Sequence, residues 1–258
     1  MISIPVTLIE SVFLPGLLSG TRLIGLFVSA PFFALQSIPM RFRIALGLLL
    51  GFGIPLETNV LSSLSLTMST ASYATLAVGE FLIGAVSGWL IRIGLMVFDV
   101  SAEVISIQTG LSFASSYNPD QALPSGVLGQ VFGLLGLALI FSLNIHLVAV
   151  EILFDSFRSL PAGKWPVGFD LKTIGSLVSS SFSIGLVLFA PFVVINLVVM
   201  GGQGFLGRTS PQMNLFSIGF GLSIPIGIFL LYVLLPVFPQ ALQRSLEPPF
   251  AVLRQAFL

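Results

Sequence analysis

Long apolar runs separated by short polar interruptions make up the chain, and its few charged residues mark where each run ends. From Ser11 to Met40 the only charge is Arg22, from Ile44 to Leu56 there is none, and from Thr58 to Ile91 there is only Glu80. Gln121 to Val150 is free of acid, Lys and Arg, and Thr173–Gly207 and Thr209–Gln243 are charge-free for 35 residues each. A helix needs about 20 apolar residues to cross roughly 30 Å of hydrocarbon. The pattern therefore predicts six helical segments, at about 11–35, 41–56, 71–107, 125–158, 173–200 and 213–235. The second is too short for a simple span. The third is long, with Arg92, Asp99 and Glu103 following its apolar part. Such unequal lengths predict broken or tilted helices packed inside a complex.

Composition sharpens the class. Of 258 residues only 8% are charged, against about 25% in an ordinary soluble domain, while 55% are hydrophobic and 24 are Phe. Mean hydropathy is +1.08. This is the composition of an integral, all-α membrane protein, not of a nucleic-acid binder with a basic face or a disordered tail. With no Cys and one His, neither a thiolate nucleophile nor a Cys- or His-rich metal site is expected. The first fifteen residues carry Glu10 and no Lys or Arg, so they lack the basic start of a cleavable signal, and the first apolar stretch is expected to stay. With the N-terminus outside, the inner loops hold Arg41, Arg43, Arg92 and Arg208 and the outer ones Arg158, Lys164, Lys172, Arg244 and Arg254. Four against five gives the positive-inside rule no decision, as expected if insertion is not set by bilayer rules alone. A break at 159–170 (SLPAGKWPVGFD) separates a four-segment part, 1–160, from a C-terminal helical hairpin, 161–258.

Several residues invite chemistry, each with a plainer reading beside it. Arg22 and Glu80 lie inside apolar segments, where a charge faces a partner or a water-filled cavity. They suit a proton relay or, as we favour, a buried or subunit-contact polar group. Arg92, Asp99 and Glu103 fall on one helix face, either as a coupling stripe or as an emerging helix end. His146, close after Asn144, is a possible pH switch or a hydrogen-bonded interface residue. Glu151, Asp155 and Arg158 read as a solvated or subunit-facing turn. Gly126, Gly129, Gly133 and Gly136 form a small-residue stripe suited to close helix packing, as do the pairs Gly84/Gly88 and Gly47/Gly51. The stretch 108–125 (QTGLSFASSYNPDQALPS) breaks the helical pattern yet keeps Leu111, Phe113 and Tyr117, so it reads as a hydrophobic gate or as a buried connector. Gly201–Asn214, with Arg208 and Pro211, reads as a polar turn between the last two segments. Nucleotide loops and HExxH are absent from the sequence, so an enzyme is not expected.

Taken in order, several of these motifs resemble the family of the flagellar biosynthetic protein FliR. They are Ala30-Pro31, Ile38-Pro39-x-Arg41, the run Gly110-Leu111-Ser112-Phe113-Ala114 preceded by Glu103 and Gln108, Asn144-x-His146, Ser159-Leu160-Pro161-x-Gly163, and above all Arg208-x-x-Pro211-Gln212-Met213-Asn214 before Phe216-x-Ile218-Gly219-Phe220. The virulence-type SctT branch shares Pro-Gln-Met-Asn but is less similar at Gly110–Ala114 and Asn144–His146. The resemblance implies a subunit of a type III protein export gate in the bacterial inner membrane. One copy would join five FliP-like and several FliQ-like subunits, and an FlhB-like switch subunit, around a pore for unfolded substrates. It also implies a FliP-like N-terminal part fused to a FliQ-like hairpin, a pore plug at Gly110–Ala114 with Tyr117 in the same loop, a cytoplasmic turn at Arg208, Pro211, Gln212 and Asn214, and no cofactor or nucleic acid. An injectisome export subunit and a proton-coupled transporter using Glu80, Glu103 and His146 stand as alternatives.

Overall fold

The computed structural model describes residues 13–31, 38–53, 70–109, 126–160, 163, 164, 166, 170–209 and 215–257. Every regular element among them is helical: α1 (Leu14–Ser29), α2 (Met40–Gly53), α3 (Thr70–Thr109), α4 (Gly126–Ser142), α5 (Ile145–Ser159), α6 (Leu171–Thr209), α7 (Leu215–Leu234) and, after a 3-10 turn at Leu235–Val237, α8 (Phe238–Phe257). The all-α class read from the apolar runs is the class found. Ala71–Thr109, Leu171–Phe205 and Gly221–Phe257 are each long and apolar enough to cross a membrane, and α4 with α5 adds a fourth if taken as one span.

Three boundaries differ from the sequence reading. The fourth segment is two helices, because Asn144 adopts a left-handed φ of 55°, a conformation that Asn tolerates better than most residues. Its carbonyl then accepts from the N–H groups of Leu147 at 3.0 Å and Val148 at 3.3 Å, starting α5. Within the polar turn expected at 201–214, residues 201–209 are helical instead: α6 continues through Gly201, Gly202 and Gly204 to Thr209, so Arg208 sits in its last helical turn. Glycine weakens a helix but, unlike proline, keeps its N–H donor in the ladder. Third, α8 is a helix beyond the last of the six apolar segments. It is amphipathic, burying Phe238, Ala241, Leu242, Ser245, Leu246, Leu253 and Phe257 at helical spacing.

The helices gather into two compact units that cut across chain order. The first draws on Met1–Ile93, Asn144–Leu177 and Glu247–Leu258. Here α1 and α2 pack antiparallel almost backbone to backbone: a side chain on Gly51 would collide with the Gly20 backbone, and one on Gly47 would lie 3.0 Å from Ile24 N. On its other side α1 meets α3 as closely. A methyl group on Gly25 would lie 2.7 Å from Ala85 N, one on Gly88 2.6 Å from Ala30 N, and one on Gly84 would strike the Arg22 carbonyl.

The second unit comprises Gly94–Leu143 and Val178–Leu246. Its core is a cluster of phenylalanines around Phe238. Phe132 and Phe189 lie 5.6 Å from it and Phe98 6.1 Å, centroid to centroid. Tilted and edge-on contacts of this kind add about 0.5–1.5 kcal/mol per pair beyond burial. Nearby, the hydroxyl of Ser245 donates to the Gly94 carbonyl at 2.5 Å.

Candidate functional site

The first unit holds a buried ion pair that the sequence places 58 positions apart. Close approach of α1 to α3 at Gly84 brings Arg22 beside Glu80, one helical turn before that glycine. Arg22 is 0% exposed and Glu80 2%. The Arg22 Nε donates to Glu80 Oε2 at 2.6 Å, Nη1 to Ser156 Oγ at 2.9 Å and Nη2 to the Leu160 carbonyl at 3.2 Å. The Phe157 ring lies 4.3 Å from the guanidinium carbon. The second Glu80 oxygen accepts from the Gly163 N–H at 3.2 Å. Gly163 can present that N–H because its φ of +89° is one that side-chain-bearing residues rarely adopt. Leu160 follows the C-terminus of α5, the negative end of that helix's dipole, where a guanidinium is favoured.

Thus α1, α3, the end of α5 and the connector after it meet at one guanidinium. A buried charge that lost its partner would cost several kcal/mol; this pair is matched and hydrogen-bonded on every side that the structure describes. Both carboxylate oxygens of Glu80 are engaged by donors, an arrangement suited to holding helices together and poorly suited to passing protons along.

A second polar constellation lies in the other unit, at the end of α3. Asn196, buried on α6, donates from Nδ2 to the Gln108 carbonyl at 2.6 Å and to Gln108 Oε1 at 3.0 Å. The next residue, Thr109, donates to the Ile105 carbonyl at 2.8 Å. It also lies so near α7 that a methyl group on Gly227 would come within 2.7 Å of its Cγ2. The last turn of α3, immediately before 110, is therefore gripped by α6 and α7.

Of the residues singled out from sequence, Arg22 and Glu80 are joined directly and Gln108 is held by Asn196. Glu103, Arg92, Asp99 and Asn144 are exposed, and His146 is half-buried. Asp155 and Arg158 form an exposed ion pair at 3.7 Å. Gly126 and Gly129 lie on α4. Further along it, a side chain at Gly136 would meet the Phe98 ring at 3.0 Å, whereas Gly133 faces open space. Gly110, Leu111, Ser112, Phe113, Ala114 and Tyr117, with Pro211, Gln212 and Asn214, lie outside the described residues. Sequence reasoning missed Ser156, Phe157 and Asn196. Ser156 and Phe157 sit on a face of α5 read as a solvated turn, and Asn196 is one amide in an apolar run. Among the described residues no group of three or more His, Cys, Asp or Glu side chains is arranged to hold a metal ion.

Both polar constellations fall within 13–248, the range over which the chain matches the family of bacterial export proteins, family 1. The chain belongs to that family. Curated relatives are similar over most of their length. The flagellar biosynthetic protein FliR of Escherichia coli (strain K12) is 31% identical over 220 residues, 84% of this chain and 82% of that one. FliR of Buchnera aphidicola subsp. Acyrthosiphon pisum (strain APS) is 30% identical over 243 residues, covering 94% and 92%. FliR of Bacillus subtilis (strain 168) is 25% identical over 228 residues, 86% of each.

Proposed function

We propose that this export-family protein is a subunit of the flagellar type III protein export gate in the bacterial inner membrane. It forms part of a protein-conducting pore with FliP-like, FliQ-like and FlhB-like subunits, and acts as a conduit and not as an enzyme. The observation that carries this reading is the similarity to E. coli FliR over 84% of the chain at 31% identity. The helices support it. On α6 and α7 Val187, Val194, Val198, Phe229 and Tyr232 are exposed, apolar surface that needs lipid or sister subunits to cover it. In this reading residues 1–160 are the FliP-like part and 161–258 the FliQ-like hairpin. Gly110, Leu111, Ser112, Phe113 and Ala114, with Tyr117, close the resting pore, and the grip of Asn196 on Gln108 fixes the root of that segment. Arg208, Pro211, Gln212 and Asn214 form the cytoplasmic connection.

Deleting the gene in its own bacterium tests the reading. Flagellin export and swimming are expected to stop and to return when the gene is supplied in trans. Normal flagella in the deletion strain would overturn it. Replacing 110–114 with small polar residues is expected to make membranes leak ions, and unchanged conductance would remove the plug role.

A further inference from the structure

The second unit carries a groove that neither the ion pair nor the end of α3 uses. It measures about 410 Å³ and runs between α6 and the break joining α7 to α8. Its walls are Ile184, Val187, Leu188 and Pro191 on one side and Leu234, Val237 and Ala241 on the other; Ser183, Gln240 and Arg244 add the polar groups. Two helix irregularities border it. Pro191 lies inside α6, where it removes a ladder donor, and the 3-10 turn at Leu235–Val237 interrupts the opposite wall.

The groove has a direction. Ser181 and Ser245 are hydrogen-bonded at 3.4 Å and the Phe189 and Phe238 rings lie 5.6 Å apart, so α6 and α8 run antiparallel, with Ser183 and Arg244 toward one end of the groove and Pro191 and Leu234 toward the other. Ser183 to Pro191 is about 12 Å of helix at 1.5 Å per residue. One end is therefore cationic and the rest, apart from Gln240, apolar. Among the described residues Arg244 has no ion-pair partner. It is also the first charge after the 35-residue charge-free run 209–243, where, in the membrane placement proposed above, a basic side chain would meet lipid headgroups.

We infer that this groove binds one anionic phospholipid, with an acyl chain lying along Val187, Leu188, Pro191 and Leu234 and the phosphate on Arg244. A cationic side chain at the mouth of an apolar slot selects an anionic headgroup over a zwitterionic one. A helix of a sister subunit would fill the slot but leave the guanidinium unanswered unless it brought its own acid. The inference rests on the membrane placement proposed above.

Native mass spectrometry of the full chain released from nanodiscs of mixed phosphatidylglycerol and phosphatidylethanolamine tests it. The wild type is expected to retain one phosphatidylglycerol about fivefold over phosphatidylethanolamine, the effect of one basic residue near a charged surface. R244Q is expected to lose the preference, R244K to keep it, and Ile184→Trp, which fills the slot, to lose the bound lipid. Arg92→Gln, on an exposed arginine outside the groove, is expected to change nothing. Equal retention of the two lipids by wild type, or an unchanged preference in R244Q, would overturn the site. A photo-crosslinker at Val187 in the assembled complex is expected to capture lipid; capture of a sister subunit would overturn it as well. Recovery of the chain with no phospholipid of either kind would instead defeat the membrane placement.

Discussion

Arg22 shows how one side chain organises four segments. Removing either member of the pair leaves a desolvated charge, so Arg22→Leu or Glu80→Leu alone is expected to cost about 3–5 kcal/mol, read as a fall in melting temperature in detergent. The double variant is expected to recover only part of this loss, because the Leu160 carbonyl and the Gly163 N–H still lose their partners. Full recovery, or no loss in either single variant, would show that the pair does not hold the helices. Asp170, outside the apolar spans, gives a pH prediction. Hydrogen bonds from Thr173, first from its side chain and then from its backbone N–H, hold the Asp170 carboxyl below its ordinary 3.8. The backbone contact is 2.9 Å long and caps the start of α6. Because the folded value is depressed, the cap contributes above the ordinary value and is lost as pH falls through the depressed one. Hydrogen exchange at the first turn of α6 is expected to speed up in that acid range, and an Asp170→Asn variant to remove the pH dependence while keeping the cap. An unchanged acid profile in that variant would assign the effect elsewhere.

At the scale of elements, two glycines of one helix-building type are expected to behave oppositely. Gly84 sits against the Arg22 carbonyl, which cannot move aside without moving α1. G84A is therefore expected to destabilise by about 1–3 kcal/mol and, when combined with Glu80→Leu, to deviate from additivity. Gly133 faces open space, so G133A is expected to stabilise α4 by up to about 1 kcal/mol. A loss of co-purifying sister subunits in G133A without a loss of stability would mark Gly133 as a docking position. The elements also show what the sequence made legible. Apolar runs identified α1, α2, α3, α6 and α7 because membrane-length hydrophobicity is a strong local signal. They did not separate α4 from α5, since a single Asn in a left-handed conformation leaves no compositional trace. They also passed over α8, whose polar face and Pro248-Pro249 lower its mean hydropathy although its buried residues keep helical period. The partners of Arg22 were illegible for another reason: Glu80 is brought to it by the packing of α3, and Ser156 and Leu160 by that of α5, and no spacing along the chain encodes them.

For the whole molecule, the sequence speaks of lipid and the packing speaks of protein. Close glycine contacts and a matched ion pair bind α1, α2 and α3 into a body whose own short helices, 16 and 14 residues in α1 and α2, fall below a membrane span. Meanwhile α6 and α7 keep wide apolar faces uncovered. A chain built this way is completed by neighbours, as the bacterial export family implies. The central claim is assembly, and the most direct measurement is the native mass of the complex purified after co-expression with the FliP-like and FliQ-like proteins of the same bacterium. The account predicts a single copy of this chain held with five FliP-like subunits and several FliQ-like ones. A chain that purifies as a stable monomer, with neither neighbour attached, would contradict it.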